Sequence, residues 1–225
     1  VGFVDDKRGL SPKVRLFMEL AGGFSISYII FGYSFFDSTI FAFVFAVAVN
    51  AYNMVDGLDG ICAGNTIIFA IFAFIAGFSP DISLAIAGAF AGYLMYNFPP
   101  AKIFMGDQGS YLAGTFVGLL LIQSWESQNF VRIAAFCWPV VLDLFIGFAR
   151  RSLAGKSPLK GDRDHYYDKI FAITGKKKRA TFFITSSIAL FYALVGFLLP
   201  VTAIPFVLMA SSVVQVFLLK SLRST

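Results

Sequence analysis

The chain has 225 residues, 58% of them hydrophobic and 14% charged, with 28 Phe, a mean hydropathy of +0.77 and a net charge of +5. Soluble domains carry about 25% charged residues, so a water-soluble fold is excluded and an integral membrane protein is indicated. A pI near 9.2 would suit nucleic acid. The Lys and Arg residues flank apolar segments, however, where membrane orientation and anionic headgroups account for them, so no nucleic-acid partner is expected.

The opening Val1-Gly-Phe-Val-Asp-Asp reads as the exit from a hydrophobic segment and predicts an N-terminally truncated fragment with no visible signal peptide. Eight apolar stretches follow, at about 14–33, 38–54, 62–78, 82–98, 109–123, 132–150, 180–199 and 203–220. A spanning helix needs roughly 20 apolar residues, with about 17 tolerated. The expected fold class is therefore all-α, a polytopic integral membrane bundle of about eight transmembrane helices. No linker, low-complexity run or internal repeat interrupts it, so residues 1–225 read as one transmembrane catalytic domain.

Threading the eight segments alternately puts 17 of the 18 Lys and Arg on one side, including Lys160, Lys220 and Arg223, and leaves only Arg132 opposite. The positive-inside rule makes that side cytoplasmic. The same threading gathers Asp5, Asp6, Asp56, Asp59, Asp107, Asp162 and His165 there. Trp125 and Trp138 fall near the other interface and read as belt residues. Cys62 and Cys137 lack metal or redox spacing and read as packing thiols.

Carboxylates beside membrane-length segments are costly to keep, so they mark candidate sites. Asp5-Asp6 precede a basic run, Lys7-Arg8-Gly9-Leu10-Ser11-Pro12-Lys13-Val14-Arg15; the pair suits a metal, a proton or simply a solvated loop. Asp56-Gly-Leu-Asp59-Gly60 places two carboxylates at i and i+3, sharing a face if helical or gathered by glycines if a turn. Phe104-Met-Gly106-Asp107-Gln-Gly109-Ser110 precedes a helix. Its amides could receive a phosphate, Asp107 could offer oxygen to Mg²⁺, Phe104 could stack on a base, and Ser110 reads as an N-cap. Asp143 is the most deeply placed carboxylate in this threading and needs a partner or a water-filled cavity. The lone histidine, His165, lies in the charged loop Asp162-Arg163-Asp164-His165-Tyr166-Tyr167-Asp168, which favours phosphate contact or proton handling. Lys176-Lys177-Lys178-Arg179 is a topology determinant and headgroup contact.

Taken in order, these segments resemble the polyprenyl-phosphate N-acetylhexosamine-1-phosphate transferases of glycosyltransferase family 4 type. The matching stretches are Asp5-Asp6 with Leu10-Ser11-Pro12 and Arg15, then Asn50/Asn53/Asp56-Gly-Leu-Asp59-Gly, then Asn97-x-Pro-x-Ala with Phe-Met-Gly-Asp107-x-Gly-Ser. Pro139-x-x-x-Asp143 with Arg150-Arg151 and Ser157-Pro158 with Asp162-Arg163-x-His165 complete the series. The resemblance implies about eleven membrane helices in an intact relative, with Asp107 as the Mg²⁺ ligand (Mn²⁺ would also serve). It implies catalytic roles for Asp5, Asp6, Asp56, Asp59 and His165, and substrate contacts for Asn53, Asn97, Phe104, Gly106 and Arg163.

The activity so implied is transfer of sugar-1-phosphate from a UDP-N-acetylhexosamine to a polyprenyl phosphate, releasing UMP and starting a cell-envelope polysaccharide. It would take place at the cytoplasmic face of a bacterial inner membrane, in a protein that also partners the bilayer and is compatible with a homodimer. One departure is His165-Tyr166-Tyr167, where peptidoglycan-precursor enzymes carry three histidines and common-antigen enzymes carry His-x-His. The His-x-Tyr form is more similar to the enzymes that start O-antigen or capsule chains on a 6-deoxy sugar. A transporter or channel using intramembrane carboxylates, or an inactive family relative, are the alternative readings.

Overall fold

The computed structural model describes residues 1–127, 129–158 and 161–221, with side chains to Phe217 in the last helix. Lys160 and Arg223, both counted above on the basic side, lie outside the described residues, as does the Lys220 side chain. Among the described residues ten helices follow one another: α1 (Gly2–Arg8), α2 (Pro12–Ser25), α3 (Phe35–Val55), α4 (Ile61–Ile75), α5 (Pro80–Asn97), α6 (Gly106–Gln123), α7 (Phe130–Leu153), α8 (Tyr166–Ile173), α9 (Lys178–Leu198) and α10 (Ile204–Ser221). A π-helical turn, Ile26–Ile30, extends α2. Among the described residues there is no strand.

Each of the eight apolar stretches holds one long helix. The short α1 and α8 were not anticipated, because both are too polar and too brief to carry a periodic signal. Local chemistry sets the starts. Ser11 accepts the Val14 N–H with Pro12 at the first helical position, and Ser34 accepts the Asp37 N–H, so α3 begins at Phe35 rather than at 38. The Asp168 side chain accepts the His165 N–H at 3.1 Å and so caps the start of α8.

α3, α7 and α9, of 21, 24 and 21 residues, are long and apolar enough to cross a membrane, and α4 and Ile204–Phe217 are shorter apolar helices. At 1.5 Å per residue, 21 residues cover the roughly 30 Å hydrocarbon core. Large apolar side chains face outward, Phe36 at 72% and Phe206 at 70% exposure among them, which is natural against lipid and unfavourable against water. The molecule is thus a polytopic membrane helix bundle.

Its centre is the α3–α6 pair, with α2 and α7 packed against α3, and α9 packed outside them on α7 and α4. Gly114 permits the approach: a Cβ there would lie 2.5 Å from the Val49 Cα. Phe69 stands edge-on to Phe116 and Phe136 at centroid distances of 5.7 and 6.3 Å, tying α4 to α6 and α7. Cys62 and Cys137 are buried free thiols. One end of the bundle holds Arg132, whose guanidinium donates to the Gly196 and Phe197 carbonyls at the end of α9. The Trp138 indole N–H donates to Ser212 at 2.9 Å, joining α7 to α10. The other end gathers α1, the 56–60 turn, the 98–105 loop and α8, and every candidate site residue lies there.

Candidate active site

The close packing of α3 on α6 brings Asn53, in the last turn of α3, against Asp107 in the first turn of α6. Asn53 Nδ2 donates to Asp107 Oδ1 at 2.7 Å and to Ser110 Oγ at 3.1 Å. Ser110 is therefore an inner partner of this contact and not the N-cap that its sequence position suggested; Met105 occupies the cap position. Arg15 reaches in from α2, with Nη1 2.8 Å from Asp5 Oδ2 and 3.5 Å from Asp107 Oδ2. Asp5 also accepts the Leu10 N–H. Burial alone would raise the Asp5 carboxyl, yet hydrogen bonds with Asp107, Leu10 and Arg15 pull it below the ordinary carboxylate range.

Asp5 and Asp6, adjacent in sequence, do different work. Asp6 turns to the start of α6 and accepts the Asp107 and Gln108 N–H groups at 2.9 and 3.1 Å. The amides expected to receive a phosphate thus hold the chain's own carboxylate. Gly106 makes room for it: its φ is +61°, and a Cβ there would sit 2.9 Å from Asp6 Oδ1.

The Asp56–Gly60 segment is a turn, so its two carboxylates diverge. Asp56 is half-buried, and among the described residues no cation pairs with it; burial first, then the negative charges of Asp107 and Asp6, push it up to about 7. Asp59 points away, receiving Lys178 Nζ at 2.9 Å and the Ala101 N–H at 2.9 Å. Those bonds, with the charge of Lys178, outweigh burial and hold Asp59 below the ordinary range. Asn97 completes this clamp, accepting the Gly60 N–H at 2.8 Å and donating to the Ile103 carbonyl at 2.7 Å. Arg179 donates to the Pro99 carbonyl beside the cis Pro99–Pro100 bond. The clamp holds up the 98–105 loop, from whose end Phe104 projects at 77% exposure.

His165 is buried, at 3% exposure. Its Nδ1 is 2.6 Å from Asp143 Oδ2, while Asp143 Oδ1 accepts the Tyr166 N–H at 2.8 Å. Asp143 thus has the partner its depth required. The ring lies parallel to Tyr167 (centroids 5.5 Å apart, planes 9° apart), and Tyr167 donates to the Met54 carbonyl at 2.9 Å. Gly57 leaves the space Tyr167 fills; a Cβ there would clash with the phenol oxygen. This contact links the histidine loop to the turn that carries Asp56. Arg150 and Arg151 converge on Asp162, and Arg163 is exposed.

Asp5, Asp6, Asn53, Asp56, Gly106 and Asp107 therefore form one cluster. Asp59 and Asn97 sit in the neighbouring clamp, Phe104 stands free on its loop, and His165 joins from the side through Tyr167. Sequence reasoning gave no role to Glu19, which is buried in α2 against Asn50. Its signal was available, a lone carboxylate inside an apolar stretch, one helical turn beyond Arg15.

Among the described residues no three His, Cys, Asp or Glu side chains form a ready metal cage. Magnesium needs none, since it keeps several waters and takes one or two carboxylates plus phosphate oxygens. The carboxylate oxygens of Asp107 and of Asp56, the latter raised first by burial and then by the negative charges of Asp107 and Asp6, are the donor type such an ion takes.

The family model for glycosyl transferase family 4 matches residues 1–125. The chain belongs to glycosyl transferase family 4. Similar proteins include the decaprenyl-phosphate N-acetylglucosaminephosphotransferase of Mycolicibacterium smegmatis, 30% identical over 82% of this chain and 56% of that one. The undecaprenyl-phosphate alpha-N-acetylglucosaminyl 1-phosphate transferase of Escherichia coli K12 is 30% identical over 84% of this chain and 60% of its own length. The chain thus spans a little over half the length of these family 4 relatives. The matched family region contains α1 to α6, and so the whole Asp5–Asn53–Asp56–Asp107 cluster.

Proposed function

We propose that this protein transfers N-acetylhexosamine-1-phosphate, or that of a 6-deoxy relative, from a UDP-sugar to a polyprenyl phosphate at the cytoplasmic face of a bacterial membrane. The observation that carries the reading is the convergence of Asp5, Arg15, Asn53, Asp56 and Asp107 at one end of a membrane bundle. A water-soluble donor and a lipid acceptor can both reach such a place.

In the reaction, an oxygen of the lipid phosphate forms a bond to the β-phosphorus. The bridging P–O bond breaks and its electron pair leaves with UMP, while the sugar keeps its anomeric C–O bond. Mg²⁺ held by Asp107, with Asp56 beside it, would supply positive charge to the diphosphate and the departing UMP. Asn53 fixes the Asp107 carboxylate for that task, and Arg15 adds a cation between Asp5 and Asp107. Phe104, exposed on a braced loop, offers its ring to the uracil. A phosphate monoester loses its second proton with a pKa near 6, so the acceptor needs orientation more than a base. Asp5 and Asp6 supply that order by tying α1 and the 9–10 turn to the start of α6. His165, joined to the cluster from the side through Tyr167, would contact phosphate or sugar.

The test is release of labelled UMP from a panel of UDP-N-acetylhexosamines by membranes containing the protein, with undecaprenyl phosphate and Mg²⁺. Release that Asp107→Ala abolishes, in a variant that still melts cooperatively, is the expected result and names the sugar. No release with any donor from folded protein, or equal release from Asp107→Ala, overturns the reading.

A further inference from the structure

The Asp143–His165 pair lies outside the matched family region, and nothing in the proposed chemistry yet requires Asp143. Its geometry is specific. An ionised carboxylate only accepts hydrogen bonds, and both Asp143 oxygens are used, Oδ1 by the Tyr166 N–H and Oδ2 by the imidazole. The 2.6 Å contact therefore requires a proton on Nδ1. The ring's other nitrogen, Nε2, lies 3.9 Å from Asp162 Oδ1, where a bare lone pair would face negative charge and an N–H would be attracted. Tyr167 fixes the ring plane, and Asp168 fixes the His165 backbone.

We propose that Asp143 is a positioning residue that holds His165 as a fixed imidazolium, with Nδ1 committed to α7 and Nε2–H presented to substrate phosphate. His165 then acts as a buried cation and not as a general base. Burial favours the neutral ring, but the hydrogen bond and charge of Asp143, followed by the charges of Asp168 and Asp162, raise the imidazole above its ordinary value. The charged and titratable groups around it are Asp143, Arg150 and Arg151 from α7, Asp162, Arg163 and Asp164 from the loop, and Tyr166, Tyr167, Asp168 and Lys169 from α8. Asp56 reaches it from the 56–60 turn by way of Tyr167. Arg150 and Arg151 engage Asp162, which leaves Asp143 as the carboxylate in direct contact with the ring.

The role in phosphate binding rests on the transferase reading; the charge state does not, and it can be read alone. His165 is the sole histidine, so protein labelled with [¹³Cε1]histidine, in nanodiscs, gives one resonance to titrate. The expected midpoint lies above the ordinary value of about 6.5. Asp143→Asn should lower it by about one pH unit or more, Asp143→Glu should restore most of the shift, and Asp162→Asn should move it less. In the UMP assay, Asp143→Asn should shift the alkaline limb of kcat/KM to lower pH by a similar amount. A wild-type midpoint at or below 6.5, or one unmoved in Asp143→Asn, overturns the proposal whether or not any UDP-sugar is turned over. Should Asp143→Asn fail to fold, the wild-type midpoint and Asp162→Asn still decide: a low midpoint, or a large fall in Asp162→Asn, overturns it.

Discussion

Asp56 and Asp59 belong to one five-residue turn, yet they stand in opposite electrostatic states. Asp59 has a lysine and a backbone N–H and is held below the ordinary carboxylate range, whereas Asp56 faces Asp107 and Asp6 and is pushed up to about 7. The same contrast divides the larger regions around them. The clamp of Asp59, Asn97, Lys178 and Arg179 satisfies its polar groups internally and braces a loop. The cluster of Asp56, Asp107 and Asp6 concentrates negative charge, and among the described residues Arg15 is the cation that pairs with it. A fold gains nothing from that arrangement until a cation and a phosphate arrive, so the stressed region is the one to associate with chemistry.

The strongest way to sharpen the contrast is Asp107→Ala. Turnover should fall by more than 100-fold while the melting temperature changes by only a few degrees, since the side chain is not a core anchor; activity and thermal unfolding on one preparation check this. Next comes the pH dependence of stability in chelator. Asp56 keeps its proton in the folded state up to about 7 but loses it near 3.8 when unfolded, so stability should decline as pH rises through that window. The upper bound is about 4 kcal/mol, from about three pH units at about 1.4 kcal/mol each, and less where water reaches the carboxyl. Asp56→Asn should flatten the profile and raise stability at pH 8 while lowering activity.

Asp59→Ala should behave oppositely, costing about 1–2 kcal/mol of stability at neutral pH through the lost Lys178 and Ala101 contacts, with half-exposed Lys178 contributing the smaller part. Its specific activity per folded molecule should fall far less than that of Asp107→Ala, and an equal fall would erase the distinction between clamp and cluster. The smallest effect on the fold belongs to Phe104→Ala. Its exposed ring contributes little to packing, so melting should be unchanged while KM for the UDP-sugar rises roughly tenfold, in line with loss of one base-stacking contact.

Much of this was legible in the sequence because apolar length and polar interruption are strong signals. The eight long helices fall where hydropathy placed them, and the acidic motifs fall at one end as the alternating threading of those segments placed them. The short helices α1 and α8 were not legible, since one is built on an acid doublet and the other on a cap made by His165 and Asp168. The division of labour within motifs was also hidden. Sequence pairs Asp5 with Asp6 and Asp56 with Asp59, but tertiary partners such as Arg15, the α6 amides and Lys178 decide which member of each pair is satisfied. The partner of Asp143 was required by its depth, yet only the fold identifies it as His165, 22 residues away.

The most direct test of the central claim, that the stressed cluster is built for a cation and a nucleoside diphosphate, is calorimetric binding of UDP-N-acetylglucosamine to the purified protein with Mg²⁺ and with chelator. The account predicts binding that needs the metal and disappears in Asp107→Ala while persisting in Asp59→Ala. Binding of equal strength without metal, or undiminished in Asp107→Ala, would contradict it.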